Sequence, residues 1–232
     1  MIAVICAMSE ERDAFTKLLT NVKKGKLERF NYHGKDFDNV YYKGKAGKKD
    51  VVIVHCGVGK VYAAILTTLV IKKFKPKLVI NVGCAGSLNK NVHVGDVVVA
   101  TRIADWDVDV PGWPRSITSN KMSFACDKRF INSIPKNNEI NIIKGHIVSG
   151  DEFVYNNTQV KTIKKYFKSA LCCEMEGSSI ANTCYAFDIP VAILRSISDE
   201  ALVSNSFKNF DINLSLAAYN AALLCVKIIK RY

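Results

Sequence analysis

The feature that most limits how this 232-residue chain can fold is a series of short, near-continuous apolar runs. "IAVIC" (2–6), "KLVINVG" (77–83), "GDVVVATRIA" (95–104), "INIIKGHIVSG" ending near Ser149, "SALCCEM" and "PVAILRSIS" (190–198) all read as strands covered on both faces. Further strands are expected near 27–33, 39–44 and 51–56, with turns around Gly34 and "KAGKKD". Helical patterns lie between them. One starts from about Ser9, read as an N-cap ahead of Glu10 and Glu11. "VGKVYAAILTTLVIKKF" is apolar on most faces and stops at Pro76, "GSSIANTCYAF" follows the fifth run, and a last helix covers about 210–230. Such alternation predicts an α/β fold with a mixed central sheet flanked by helices on both faces. The length suits a single domain over residues 1–232.

Composition removes several function classes. Hydrophobic residues make up 49% of the chain, enough for a sizeable core. No apolar run reaches the roughly 18–20 residues that span a bilayer, so no membrane role is expected. The first residues, "MIAVICAMSEERDAF", lack a basic region ahead of an apolar one, and the expected location is cytoplasmic. Eight cysteines show no C-x-x-C pair and read as free, buried thiols. Four scattered histidines form no H-x-x-x-H pair, so no metal site is expected. The net charge of +12 comes from lysines spread in ones and twos. A solvated basic surface is favoured over nucleic-acid binding.

In mixed and parallel sheets, ligands gather beyond the carboxyl ends of strands. "AMSEE", "CGVGK", "VGCAGSL", "SGDEFV", "EMEG" and "SDEA" follow the runs, and six such loops at one edge indicate a pocket. "CGVGK" is no phosphate-binding P-loop, because Val54 and Val61 stand where that motif needs glycine and a hydroxyl. Glu11, Glu176 and Asp199 each lie just past an expected strand end. Singly, Glu11 reads as a carboxylate at a helix N-terminus, Asp199 as an N-cap and Glu176 as a partner of Arg195. Together, carboxylates in one cleft suit glycosidic cleavage, in which one group protonates the leaving group and another directs water.

In this order, "AMSEE", "GVGKV", "INVGCAGSL", "VSGDEFV", "CEMEGSSIA" and "RSISDEA" resemble the purine nucleoside phosphorylase superfamily. Within it they are similar to the 5'-methylthioadenosine/S-adenosylhomocysteine nucleosidases. The resemblance runs from Ile2 to the final helix and implies a nucleoside phosphorylase-like fold. It implies that Glu176 accepts hydrogen bonds from the 2'- and 3'-hydroxyls while Met175 packs under the sugar. Glu174 and Arg195 are implied as supporting residues. Asp199 matches the general acid at purine N7, and Glu11 matches the group that activates water. Phe153 and Val154, with Cys84, Ala85 and Gly86, match the adenine site. Met8, Val58 and Phe210, with Phe207 as the alternative to Phe210, match the 5'-alkylthio pocket. Val110 and Trp113 match residues that a second subunit lends to it, which implies a homodimer. No cofactor is implied.

A phosphorylase must bind a dianion, usually through arginines. Related phosphorylases carry arginine before the V-G-x-x-G turn, where this chain has Asn81, and in the first loop, where it has "SEE". Hydrolysis is therefore expected over phosphorolysis. Cys84 stands where serine is usual, and Ser9 where an acidic residue is common. The competing readings are a futalosine-type nucleosidase, a purine nucleoside phosphorylase, a sensor that binds nucleosides without turnover, and a basic nucleic-acid-binding module.

Overall fold

A computed structural model describes residues 1–27, 31–32, 35–36, 40–110, 123–136, 138–201 and 206–232. The elements in chain order are β1 (Ile2–Cys6), α1 (Ser9–Thr16), β2 (Thr20–Lys26), β3 (Asn31–Tyr32), β4 (Lys35–Asp36), β5 (Val40–Ala46) and β6 (Lys49–His55). Then come α2 (Lys60–Phe74), β7 (Val79–Ser87), β8 (Val97–Asp105), β9 (Ser123–Ala125), α3 (Lys128–Asn132) and β10 (Ile142–Ser149). The chain ends with α4 (Asn157–Tyr166), β11 (Ala170–Glu174), α5 (Gly177–Ala186), β12 (Val191–Glu200) and α6 (Ser206–Arg231).

Alternation along the strands explains why helices cover both faces. Ile2, Val4 and Cys6 of β1 face Phe15 of α1 and Leu224, Cys225 and Ile228 of α6. Ala3 and Ile5 point the other way, into the core that holds Leu66 and Val70 of α2 and Ile180 and Cys184 of α5. The main sheet has the order β11-β10-β8-β12-β7-β1-β6-β5-β2, with β9 added to β8. Its pairing is mixed. β1, β6, β7 and β12 run parallel to one another, whereas β8 is antiparallel to β12 and β10 follows β8.

One extra pairing matters most for the site. β11 also pairs antiparallel with β7, setting Cys172 opposite Ser87 and Cys173 opposite Gly86. The strands β7, β12, β8, β10 and β11 therefore close into a ring. Loops that follow oppositely directed strands meet at that ring, although a flat sheet would send them to opposite edges.

Several expectations change. The N-cap of α1 is Met8 rather than Ser9. Glu11 reaches back to accept the backbone N–H groups of Ala7 and Met8 at 2.9 and 3.1 Å, which leaves no capping role for Ser9. Of the strand expected near 27–33, Asn31–Tyr32 form β3 and residues 28–30 lie outside the described residues, whereas β2, a polar edge strand paired with β5, was not expected. Gly34 lies outside the described residues. The helix α4 was not expected, because "KTIKKYFK" reads as a charged surface. Asn156 caps it, and Val160 and Ile163 bury its inner face. The last helix starts at Ser206 rather than about 210. Contrary to expectation, its segment Lys208–Arg231 is long and apolar enough to cross a membrane by length and composition. Half of its most apolar 18-residue window is buried in the fold, where the helix packs on α1, β7 and β12. All eight cysteines are buried free thiols.

Leu224 is fully buried at the centre of the α6 face. Leu224→Ala should destabilise the protein by about 2–5 kcal/mol through lost transfer energy and an unfilled cavity. Chemical denaturation would show it, and a loss below about 1 kcal/mol would mean that this packing is wrongly placed.

Candidate active site

A cavity of about 210 Å³ opens where the ring of strands closes. Its walls bring together residues from all six segments singled out in the sequence: Met8 and Glu11, Val58, Cys84 to Gly86, Phe153 and Val154, Glu174 to Glu176, and Asp199; Cys84 to Gly86 lie within β7 rather than in a loop after it. Arg195 and Phe210 also line it.

At its base one guanidinium meets several carboxylates. Glu11, Glu174, Glu176, Arg195 and Asp199 are each 6% exposed or less. Buried charges persist only when paired and hydrogen-bonded. Arg195 makes an ion pair with Glu174, donates to the side-chain carbonyl of Asn81, and lies 3.4 Å from Glu176 Oε2 and from the Cys84 carbonyl. Asn81 in turn donates to the Ile5 carbonyl at 3.0 Å, tying the cluster to β1. Gly83 lets these groups approach, because a Cβ there would collide with Arg195 Nη1 and with the Glu11 carboxylate.

Each carboxylate has a different setting. Glu174 is saturated: it accepts from Arg195, from the Ser149 hydroxyl, and from the backbone N–H groups of Glu176 and Gly177. Glu11 uses Oε2 for the two N–H groups at the start of α1, while Oε1 accepts the Cys84 N–H at 2.8 Å. Glu176 is the N-cap residue of α5, just past the end of β11. Its Oε1 accepts the Gly59 N–H at 2.9 Å. A carboxylate offers about four lone-pair sites, so Glu176 keeps room for two further donors and Glu11 for one, a site that the weakly donating Cys84 thiol also faces.

Asp199 departs from expectation in position. It lies inside β12 rather than past its end, so it is not an N-cap. A bulge between Ile197 and Asp199 breaks the strand's alternation. Neighbouring Ser198 and Asp199 can then both line the cavity, 2.9 Å apart from Oγ to Oδ1.

Burial raises the pKa of Glu11, opposed by Arg195 and by the backbone N–H groups of Cys84, Met8 and Ala7. Burial also raises that of Glu176; Arg195 opposes the shift and Glu174 adds to it. Burial works against the charge on Arg195, but Glu174, Glu176 and Glu11 outweigh it and hold the guanidinium protonated.

The upper wall is apolar. Phe153 and Phe210 meet edge to face with centroids 5.8 Å apart. Phe210 also packs with Leu214 beside Cys84. Val58 lines the cavity while remaining 45% exposed. Val110 is 37% exposed and is not part of this chain's cavity wall. Trp113 and the side chain of Phe207 lie outside the described residues. Sequence reasoning missed Ala7, Glu152, Cys173 and Ser198, which also line the cavity. Each adjoins a residue that it did select, and proximity to the quoted motifs was the only signal. Among the described residues, no cluster of three His, Cys, Asp or Glu side chains is arranged to hold a metal ion.

The pattern of the phosphorylase superfamily matches residues 1–230. A 5'-methylthioadenosine/S-adenosylhomocysteine nucleosidase of Exiguobacterium sp. is 38% identical, over 99% of this chain and 97% of that protein. The crystal structure of the nucleosidase of the same name from Neisseria meningitidis, in complex with methylthio-immucillin-A, superposes with a TM-score of 0.85 at 33% identity. The match covers 100% of this chain and 99% of that one. Futalosine hydrolase from Helicobacter pylori gives a TM-score of 0.82 at 27% identity, over 100% and 97% of the two chains.

The raised pKa of Glu176 has a consequence for stability. An acid whose folded pKa lies above its unfolded value of 4.5 contributes stability that is complete below that value. The contribution is lost as pH rises through the folded pKa. Glu176→Gln removes it, so the difference in melting temperature between pH 5 and pH 8 should shift toward relatively greater stability at pH 8 in the variant. An unchanged difference in thermal melts would show that Glu176 does not hold its proton in the fold.

Proposed function

The chain belongs to the phosphorylase superfamily and, within it, to the 5'-methylthioadenosine/S-adenosylhomocysteine nucleosidase family, and on that premise we propose that it hydrolyses the N-glycosidic bond of both nucleosides. The products are adenine and the corresponding 5'-thioribose compound. The observation that carries this reading is the buried charge balance, with Glu11, Glu174, Glu176 and Asp199 around the single guanidinium of Arg195.

That balance suits a transition state in which positive charge develops on ribose. As the bond from C1' to N9 breaks, its electron pair moves into the purine, and Asp199 delivers a proton toward N7. Adenine then leaves neutral. Water attacks C1' and gives its proton to Glu11, whose open Oε1 site can accept it. The 2'- and 3'-hydroxyls donate to the ionised form of Glu176, so their binding pulls its raised pKa back down and fills its two open acceptor sites, while Met175 packs beneath the sugar. Glu174 is already saturated and supports Arg195.

Adenine is assigned to the part of the cavity near Phe153, Val154 and Cys84 to Gly86. The 5'-alkylthio group is assigned to the side near Met8, Val58 and Phe210. The charge balance also favours water over phosphate. Arg195 is the only cation on the cavity wall among the described residues, and Glu174, Asn81 and Glu176 engage it. Two like charges about 4 Å apart repel by about 4 kcal/mol at an effective dielectric constant of about 20.

We assign the rest of the 5' pocket to a second copy of the chain. This is supported by the exposure of Val58 at the cavity and of Val61 and Ile65, which lie one turn apart on α2. The eight buried thiols fit a reducing compartment such as the cytoplasm.

Purified protein should release adenine from 5'-methylthioadenosine, as followed by chromatography. Asp199→Asn should lower kcat by at least about 100-fold while substrate binding is largely kept. A variant that turns over at the wild-type rate would remove Asp199 from the mechanism. Release of base from a futalosine-type nucleoside, without any from 5'-methylthioadenosine, would move the chain to that activity.

A further inference from the structure

A polar cluster lies behind the cavity, and none of its members lines the wall. Lys60, the first residue of α2, is at its centre. Its ammonium group is 2.6 Å from Asp107 Oδ1 and 3.4 Å from Asp105 Oδ1. Its backbone N–H donates to Asp151 Oδ1 at 2.8 Å, and its carbonyl accepts the Ser179 hydroxyl at 2.6 Å. Asp107 also accepts the Asp151 N–H at 2.8 Å.

The cluster runs back to the site from both ends. From Asp105, which is 6% exposed, the path goes to the Ser178 hydroxyl at 2.6 Å. The Ser178 N–H donates to the Ser149 hydroxyl at 2.8 Å, and that hydroxyl donates to Glu174. At the other end is Gly59, next to Lys60. Its N–H is fixed on Glu176 Oε1 at 2.9 Å. Gly59 has a φ of 100°, a conformation that side-chain-bearing residues rarely adopt. A Cβ there would sit 3.2 Å from Asp151 Oδ1, so the same Asp151 that holds the Lys60 N–H also bounds the turn.

We infer that Lys60, held by Asp105 and Asp107, is a positioning residue for the ribose carboxylate. It locks the start of α2 so that the Gly59 N–H aims Glu176 at the 2'- and 3'-hydroxyls. The inference deepens the proposed function and rests on the ribose-binding role given there to Glu176. The electrostatics agree with it. Burial disfavours the Lys60 charge, but Asp107 and Asp105 outweigh it, so the lysine stays an ammonium ion that can bridge both carboxylates. Lys60 joins four segments of the chain: the start of α2, the end of β8, the loop after β10 and the first turn of α5. Without its charge, Asp105 and Asp107 repel each other and release the turn.

The test compares 5'-methylthioadenosine with its 2'-deoxy analogue in wild type, Lys60→Met and Lys60→Arg. Lys60→Met should lower kcat/KM for the ribonucleoside by about 10-fold or more, mainly through KM. The deoxy analogue should suffer less, so the preference for ribose shrinks, and Lys60→Arg should restore part of it. If Lys60→Met fails to fold, Asp107→Asn makes the same comparison with the lysine retained. Equal losses on both substrates in a wild type that does prefer ribose would overturn the inference alone. A wild type with no preference for ribose would overturn the role of Glu176, and this inference with it.

Discussion

The structure depends on one guanidinium. Arg195 of β12 lies where β7 and β11 come together, and it meets Glu174, Glu176, Asn81 and the Cys84 carbonyl there. Removing one partner from a buried ion pair typically costs about 3–5 kcal/mol, because the other charge is left uncompensated. Gly83 leaves the space for this convergence, and Asn81 carries it on to the backbone of β1. The closed ring of strands and the buried charge cluster are thus one arrangement. β11 pairs with β7 through Cys172 and Cys173, and the next residue is Glu174, which reaches Arg195.

That arrangement leaves the cavity with more carboxylates than cations. Glu174 is spent on Arg195 and on the start of α5, whereas Glu11 and Glu176 keep open acceptor sites. A preorganised field of this kind does little for a neutral ground state and more for a ribosyl group gaining positive charge. The same field opposes a phosphate dianion. In the proposed mechanism, substrate choice and water selection come from one physical cause.

Much of this was legible in the sequence, for physical reasons. β1, β7 and β12 are covered on both faces, so they appear as unbroken apolar runs, and the selected residues sit within or just past their carboxyl ends. Strand direction was not legible, because an apolar run does not encode the sense of its pairing. β8, β10 and β11 run opposite to β7 and β12, and only the ring closure brings their loops to the same place. β2, "TNVKKGK", is an exposed polar edge strand and shows no apolar pattern. The place of Asp199 within β12 depends on a bulge that no spacing rule announces. The tie from Lys60 to Asp107 spans 47 residues and joins elements that only the fold brings together.

The most direct test of this charge-based reading is turnover of 5'-methylthioadenosine in buffers with and without inorganic phosphate, with the sugar product followed by phosphorus NMR. Hydrolysis predicts free methylthioribose, no sugar phosphate signal, and a rate unaffected by phosphate. A sugar 1-phosphate that appears only with phosphate, together with a rate that rises with its concentration, would contradict it and show that the carboxylate-rich cavity accommodates a dianion after all.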